Sequence, residues 1–172
     1  MKNPNSQIRS VSLLVPLLLG CIAAGVAASP ARAGNLVPFN GTVSGYVASA
    51  DTPVGCLQTL HVVNFGNANQ LGAFTGTAEF IVNDCDFTYT GFFHWAAANG
   101  DNLEGTFDGY LTPSPTPGVF DNHENADVTS GTGRFAGATS HFELGGQVDF
   151  NTLSFVLPWQ GTISSVGSNK KP

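Results

Sequence analysis

The sequence predicts one all-β domain, built either as a sandwich or as a closed barrel. Residues 34–172 show no amphipathic helical pattern; they form short β-like runs separated by Gly, Asn, Asp and Pro. The connections between runs are short, as in a meander. A Gly-Thr pair also recurs inside four runs, at Gly41, Gly76, Gly105 and Gly161. Glycine inside a strand marks a bend or the close approach of a ring, which favours the coiled strands of a small barrel.

Eight strands are predicted, at regular spacing along the chain. The Pro-rich segment 112–118 interrupts them and is interpreted as a stiff loop at one end of the domain. The predicted strands are 38–48, 56–65, 73–83, 86–96, 102–112, 119–129, 138–150 and 153–165.

Before these strands, residues 1–33 have the features of a secretory signal peptide. Lys2 and Arg9 precede an uncharged apolar run over 11–28, and Ala31-Arg32-Ala33 places small residues where signal peptidase requires them. The mature protein is therefore predicted to begin at Gly34 and to be secreted, periplasmic or extracellular.

Two other N-terminal interpretations stay open. A membrane anchor is disfavoured because Pro16, Gly20 and Gly25 interrupt the apolar run. A lipoprotein would be modified at Cys21, which follows Leu18-Leu19-Gly20, but the residues after Cys21 remain apolar.

The charge of the mature domain excludes some partners. The whole chain has a formal charge of −6, and removal of Lys2, Arg9 and Arg32 with the signal lowers it to −9. So acidic a surface cannot neutralise phosphates, which argues against nucleic acid and anionic membranes as partners.

Cys56 and Cys85 are predicted to form a disulfide, because an even pair of cysteines in an exported chain is usually bonded. Folding 56–65 onto 73–83 about a loop centred on Asn69 also brings the two cysteines close together.

The hairpin of 86–96 and 102–112 can be aligned residue by residue. Folding it about Asn99, with a bulge at Gly100, places three aromatic rings over strand glycines, an arrangement that stabilises such glycines. The pairs are Phe93 with Gly105, Phe107 with Gly91 and Tyr89 with Gly109, and Trp95 faces Leu103. The buried face is predicted to contain Phe93, Trp95, Leu103, Phe107 and Leu111. The alternative is a two-residue turn at Asn99-Gly100, which would shift the register by one residue.

The opposite face of this hairpin supplies the candidate catalytic residues, His94, Glu104 and Asp108. A histidine beside a carboxylate can transfer protons near neutral pH. The alternative is a polar cross-strand pair on a wet surface. His61 and His141 lie in predicted strands with no carboxylate that can be placed beside them.

No cofactor or metal is predicted. The sequence Gly131-Thr132-Gly133-Arg134-Phe135-Ala136 matches G-x-G-x-x-A, but the βαβ context of a dinucleotide site is missing, so a glycine turn between strands is predicted. In that turn, Arg134 is expected to form an ion pair with one of the acids. Asp121, His123, Asn125 and Asp127 alternate along one strand face; this spacing could hold calcium, but a solvated strand face is favoured.

Several segments resemble a known family. The stretch Ser130–Thr139 is similar to the G-G-[ST]-G-x-F-x-x-A motif of plant dirigent proteins and allene oxide cyclases, and it resembles even more a group of exported bacterial proteins. Residues 68–75, 97–103 and 160–165 resemble further stretches of that bacterial group. The resemblance implies an eight-stranded antiparallel barrel and a possible homo-oligomer. It departs at Gln70, where the group has a histidine, and it transfers no catalytic residue to this chain.

Three functions are compatible with these features. The preferred one is a non-enzymatic exported barrel that binds a small apolar or aromatic ligand. The second is a cyclase or isomerase of the allene oxide cyclase or dirigent type, as the resemblance allows. The third is a cell-surface or carbohydrate-associated module, which would require an exposed Trp95 or Trp159 to stack on sugars.

Overall fold

A computed structural model describes residues 35–164, which form nine β-strands and one 3-10 helix, η1. All eight predicted strands are present, whereas the predicted signal 1–33 and the start at Gly34 lie outside the described residues. The strands β1 to β9 are Leu36–Pro38, Gly41–Ala50, Leu57–Ala68, Gly72–Asn83, Thr88–Ala97, Asn102–Pro113, Val119–Gly131, Ser140–Asp149 and Ser154–Ser164, and η1 is Gly133–Phe135.

The strands β2 to β9 form a closed antiparallel barrel. Each pairs with its neighbour in sequence, and β9 also pairs with β2, which closes the ring. The barrel is therefore confirmed over the sandwich. Strand β1 is an addition to the prediction: it pairs with β9 in the same register as β2, and the two are separated by Phe39-Asn40. Within residues 35–164, no helix is long and apolar enough to cross a membrane.

The two ends of the barrel differ. At the end that carries the loops 69–71, 98–101 and 132–139, here called the closed end, aromatic rings fill the interior. Trp95 stacks on Trp159 with centroids 5.3 Å apart, and Phe135 of η1 is fully buried. The rings around this stack belong to Phe39, Phe74, Phe93 and Phe142. At the opposite end, here called the open end, the loops are 51–56, 84–87, 114–118 and 150–153.

The β5–β6 hairpin has the predicted even register. Phe93 pairs with Gly105, and Trp95 pairs with Leu103. The loop 98–101 closes it, with Gly100 in the left-handed region at φ 87°, which is the conformation expected of a type I turn followed by a bulge. The predicted buried face is confirmed, since its five side chains are at most 8% exposed.

The disulfide between Cys56 and Cys85 is also confirmed, with the Cα atoms 5.5 Å apart. The register expected for its two strands is off by two residues, because Leu57 pairs with Asn83 and the loop is centred on Gln70. The reason is the tight connection: the strands continue to Ala68 and Gly72, and the positive φ of Gly72, 75°, allows a loop of only three residues.

Candidate functional site

The barrel interior contains a cavity of about 90 Å³ between the aromatic cluster and the open end. This is more space than one water requires, but less than a drug-sized ligand needs. Its wall is almost entirely apolar, because inward-facing positions of all the barrel strands carry Val, Leu, Ala or Phe. Side chains near the open end include Val47, Leu60, Val148, Phe150 and Leu153.

A small polar cluster, formed by Tyr89, Asn122 and Glu124, lies in this apolar wall. The hydroxyl oxygen of Tyr89 is 2.5 Å from Oδ1 of Asn122 and 2.9 Å from Oε2 of Glu124. Because a hydroxyl has one proton, it donates to one of these acceptors at a time. When Glu124 is protonated, it can donate to the Tyr89 oxygen while Tyr89 donates to Asn122, so the three groups form a chain.

The interior shifts the acidity of this cluster. Burial raises the pKa of Glu124 to about 7, and the hydrogen bond from Tyr89 only partly opposes the shift. Burial, followed by the charge of Glu124, raises the pKa of Tyr89 well above its usual range. Glu124 is therefore the one member of the cluster that can exchange a proton near neutral pH.

Two buried amide atoms in the cavity wall have no hydrogen-bond partner within residues 35–164. They are Oδ1 of Asn64 and Nδ2 of Asn122. A buried polar atom without a partner carries a desolvation cost of about 1–3 kcal/mol. Both residues line the cavity, but these two atoms are themselves enclosed, so a molecule in the cavity would pair with them only after the amides turn toward it.

The open end carries backbone strain at two apolar residues. Phe87 and Leu153 have φ values of 60° and 54°, in the left-handed region that side chains other than Gly, Asn and Asp rarely adopt. Both are partly exposed, and Leu153 also lines the cavity. Strained residues that persist in a fold tend to mark functional sites.

The predicted catalytic residues lie on the outer face of the barrel, away from this cavity. His94 Nδ1 is 2.9 Å from Glu104 Oε1, so the predicted contact is confirmed. Ser130 and then His94 lower the pKa of Glu104, which keeps that carboxylate ionised. Asp108 faces Thr90 and Asn125 across its neighbouring strands. A catalytic role for the three remains a prediction, and none of them lines the interior cavity.

His61 and His141 also have carboxylate neighbours on the outer face, whereas the sequence predicted none beside either histidine. His61 lies 3.2 Å from Glu79, and His141 lies 2.9 Å from Asp127. Register across the sheet, rather than spacing along the chain, brings these partners together. In the part of the chain that the structure describes, no three His, Cys, Asp or Glu side chains are grouped to hold a metal ion.

The glycine turn is confirmed as a connection between strands. It contains η1, and Arg134 forms the expected ion pair, with Asp101 at 3.4 Å, while its Nη2 donates to the carbonyl of Leu71. The sugar-stacking role considered for Trp95 and Trp159 is wrong, because both rings are buried in the closed end.

Sequence reasoning missed the polar cluster in the cavity wall, although the pattern of β7 contains a signal for it. In β7 both strand faces are polar near its start: Asp121, His123 and Asn125 point outward, and Asn122 and Glu124 point inward. Polar residues on the inner face of a barrel strand are costly, so they indicate a buried network or a ligand site.

No family model matches the chain, and no curated protein matches it. A solved structure with the same architecture is that of the pterocarpan synthase dirigent protein GePTS1. The two are 12% identical, with a TM-score of 0.51, and the match covers 91% of this chain and 98% of that chain. At this identity the likeness shows a shared barrel fold, dirigent-like in architecture, and function has to be argued from the site.

Proposed function

We propose that this barrel binds a small molecule with an apolar ring or chain and one polar end. The observation that carries the proposal is the apolar cavity, which contains Glu124 and Tyr89 together with the unpartnered amide atoms of Asn64 and Asn122. Apolar walls with a few convergent polar groups are typical of small-molecule sites. A volume of about 90 Å³ fits a single small ring or the end of a longer ligand that extends through the open end.

The compartment belongs to the same proposal. The disulfide at the open end is consistent with an oxidising environment outside the cytoplasm. The signal features of residues 1–33 support export, so the ligand would be met outside the cytoplasm.

The test uses two probes that differ by one hydroxyl group, toluene and p-cresol. Both should shift the NMR signals of cavity residues, and p-cresol should bind more tightly because its hydroxyl can donate to Glu124. In Glu124→Leu, which removes the carboxyl group at similar volume but leaves Tyr89 and the two amides, the preference for p-cresol should fall. Ala78→Leu, which fills part of the cavity, should weaken both probes. Binding of neither probe by the folded wild-type protein would refute the proposal.

A second candidate function is acid-base catalysis of a cyclisation or isomerisation inside the barrel. The observation that favours it is the pKa of about 7 at Glu124, in a largely apolar cavity wall. Titration of the Glu124 carboxyl carbon by ¹³C NMR tests this directly. A midpoint near 7 supports the candidate, and an ordinary midpoint near 4.5 removes it.

A further inference from the structure

A second depression lies on the outer surface, where a strand position lacks a side chain. Gly145 of β8 points outward, at the centre of a grid of three strands. A Cβ built on Gly145 would have a single neighbour, the carbonyl of Asn122 at 3.9 Å, so the space above it is empty. The resulting groove has a volume of about 560 Å³.

Two rings line this groove from the strands on either side of Gly145. His123 pairs with Gly145 on β7, and Pro158 lies on β9, where the ladder between the pairs Leu144–Trp159 and Gln147–Val156 is interrupted. His123 is held in place by stacking on Tyr110, with centroids 4.7 Å apart and planes at 17°. One face of the His123 ring is thereby left to the groove.

The width of the groove selects the kind of ring that fits. His123 and Pro158 lie two strands apart in the sheet; regularly paired strands would separate them by about 10 Å, and the ladder between Gly145 and Pro158 is unpaired. For a flat aromatic ring to contact both sides, the sides would have to be only about 7–8 Å apart, because each contact is about 3.5–4.0 Å long. The thicker, puckered ring of a sugar fills the width better.

The groove is polar at one end, and none of the described residues that line it is Lys or Arg. On one side of Gly145 the outward side chains are Asn125, Glu143 and Gln160. Beyond the groove on the other side, Gln147 donates to Asp121 at 3.1 Å. Amide and carboxylate groups pair well with sugar hydroxyls, while Glu143 and Asp121 repel anionic sugars.

We propose that the groove above Gly145 binds a neutral sugar ring of a glycan, with the ring between His123 and Pro158 and its hydroxyls on Asn125, Glu143 and Gln160. Asn122, Glu124 and Leu144 border both the groove and the interior cavity. The proposed sugar contacts involve only outward-facing residues, so they do not rest on the function proposed for the cavity. In this proposal the carbohydrate-associated role belongs to these outward-facing residues and not to the buried Trp95 and Trp159.

The test is an NMR titration of ¹⁵N-labelled protein with cellotriose, maltotriose and chitotriose, and with trigalacturonic acid as the anionic control. At about 10 mM, enough to populate a site of millimolar affinity, at least one neutral trisaccharide should shift the amide signals of Gly145 and His123. Trigalacturonic acid should leave them unchanged. If none of the neutral trisaccharides moves these signals, the proposal is wrong.

Two variants connect the shifts to the groove. Gly145→Val fills the groove at a position with space for a side chain and an ordinary strand φ, so its melting temperature should be preserved. Its affinity should fall about tenfold or more, as for a residue at the centre of a contact. Glu143→Ala should weaken binding without filling the groove. Thr75→Val, an exposed outward position on β4, is the matched control and should bind as the wild type does. Equal affinity of Gly145→Val and the wild type would overturn the assignment.

Discussion

Individual residues at the open end adopt conformations or ionisation states that are costly to the fold and suited to a binding site. Leu153 adopts a left-handed backbone conformation, and Val47 nevertheless donates a hydrogen bond to its carbonyl. Glu124 places a carboxyl in an apolar wall. Each feature leads to a prediction about stability.

At Leu153, two substitutions separate backbone strain from side-chain contacts. Asn tolerates the left-handed region and Ala does not, so Leu153→Asn should be more stable than Leu153→Ala by about 1 kcal/mol. Urea denaturation measures this difference. Both variants lose the same apolar contact with the cavity, so both should bind toluene more weakly than the wild type. An equal or lower stability of the Asn variant would show that the position is unstrained.

At Glu124, the raised pKa predicts a pH-dependent cost. The unfolded carboxyl ionises near 4.5 and the folded one near 7, so stability falls as the pH rises between these values and is constant above them. Because Glu124 keeps some exposure, we expect a cost of about 1–3 kcal/mol above pH 7.

The variant that tests this cost is Glu124→Gln, which cannot ionise. It should be more stable than the wild type by that amount at pH 8, and the difference should shrink toward pH 4.5. The surface histidine–carboxylate pairs are the same in both proteins, so their titration cancels in the comparison. A difference that does not change with pH would contradict the raised pKa.

At the level of the strands, glycine positions determine which face can accept a side chain. A Cβ on Gly105 would lie 2.5 Å from Cζ of Phe93, and it would also press on the backbone carbonyl of Asp127. A Cβ on Gly145 has open space instead. Glycine at position 105 therefore leaves room for an aromatic ring to pack, and glycine at position 145 leaves a groove on the surface.

The matched substitutions Gly105→Ala and Gly145→Ala should have different effects. Gly105→Ala overpacks the ring of Phe93 and should destabilise the barrel by about 1–3 kcal/mol. Gly145→Ala should be neutral or stabilise slightly, since alanine loses less conformational entropy on folding. Thermal unfolding of both variants measures this contrast. Similar losses in the two would argue against the close packing of ring over glycine.

At the level of the whole molecule, the disulfide links two loops of the open end. Cys56 and Cys85 are 29 residues apart, and a ring of this size is expected to contribute about 3–4 kcal/mol. The double variant Cys56→Ala/Cys85→Ala should lose about this amount in urea denaturation. The wild type in reductant should match it. Two reactive thiols in denatured wild-type protein without reductant would show that the bond does not form.

Local sequence patterns were sufficient to predict the eight strands and the β5–β6 register. Turn residues such as Gly100 mark where strands end, and the match of aromatic side chains with strand glycines fixes one register because a slip by one residue would mix the faces. The β3–β4 register was off by two, since its loop length depends on how far the strands continue toward Ala68 and Gly72. Strand β1 was missed because its three residues are too few to show a strand pattern. Only their pairing with β9 defines them as a strand.

The functional sites depended on closure of the barrel. His94 and Glu104 were correctly paired from one hairpin. The hairpin alone, however, does not show whether its polar face borders a cavity or the solvent. Tyr89, Asn122 and Glu124 converge because strands far apart in sequence face the same interior. The groove above Gly145 forms only when the fold places His123 and Pro158 on the strands beside it. The sequence by itself determined the strands and most turns, since these depend on neighbours along the chain, and it predicted the cysteine pair from the even cysteine count of a chain with export features. The tertiary structure alone decided which side chains share an enclosed space, since burial and contact between distant strands exist only after the barrel closes.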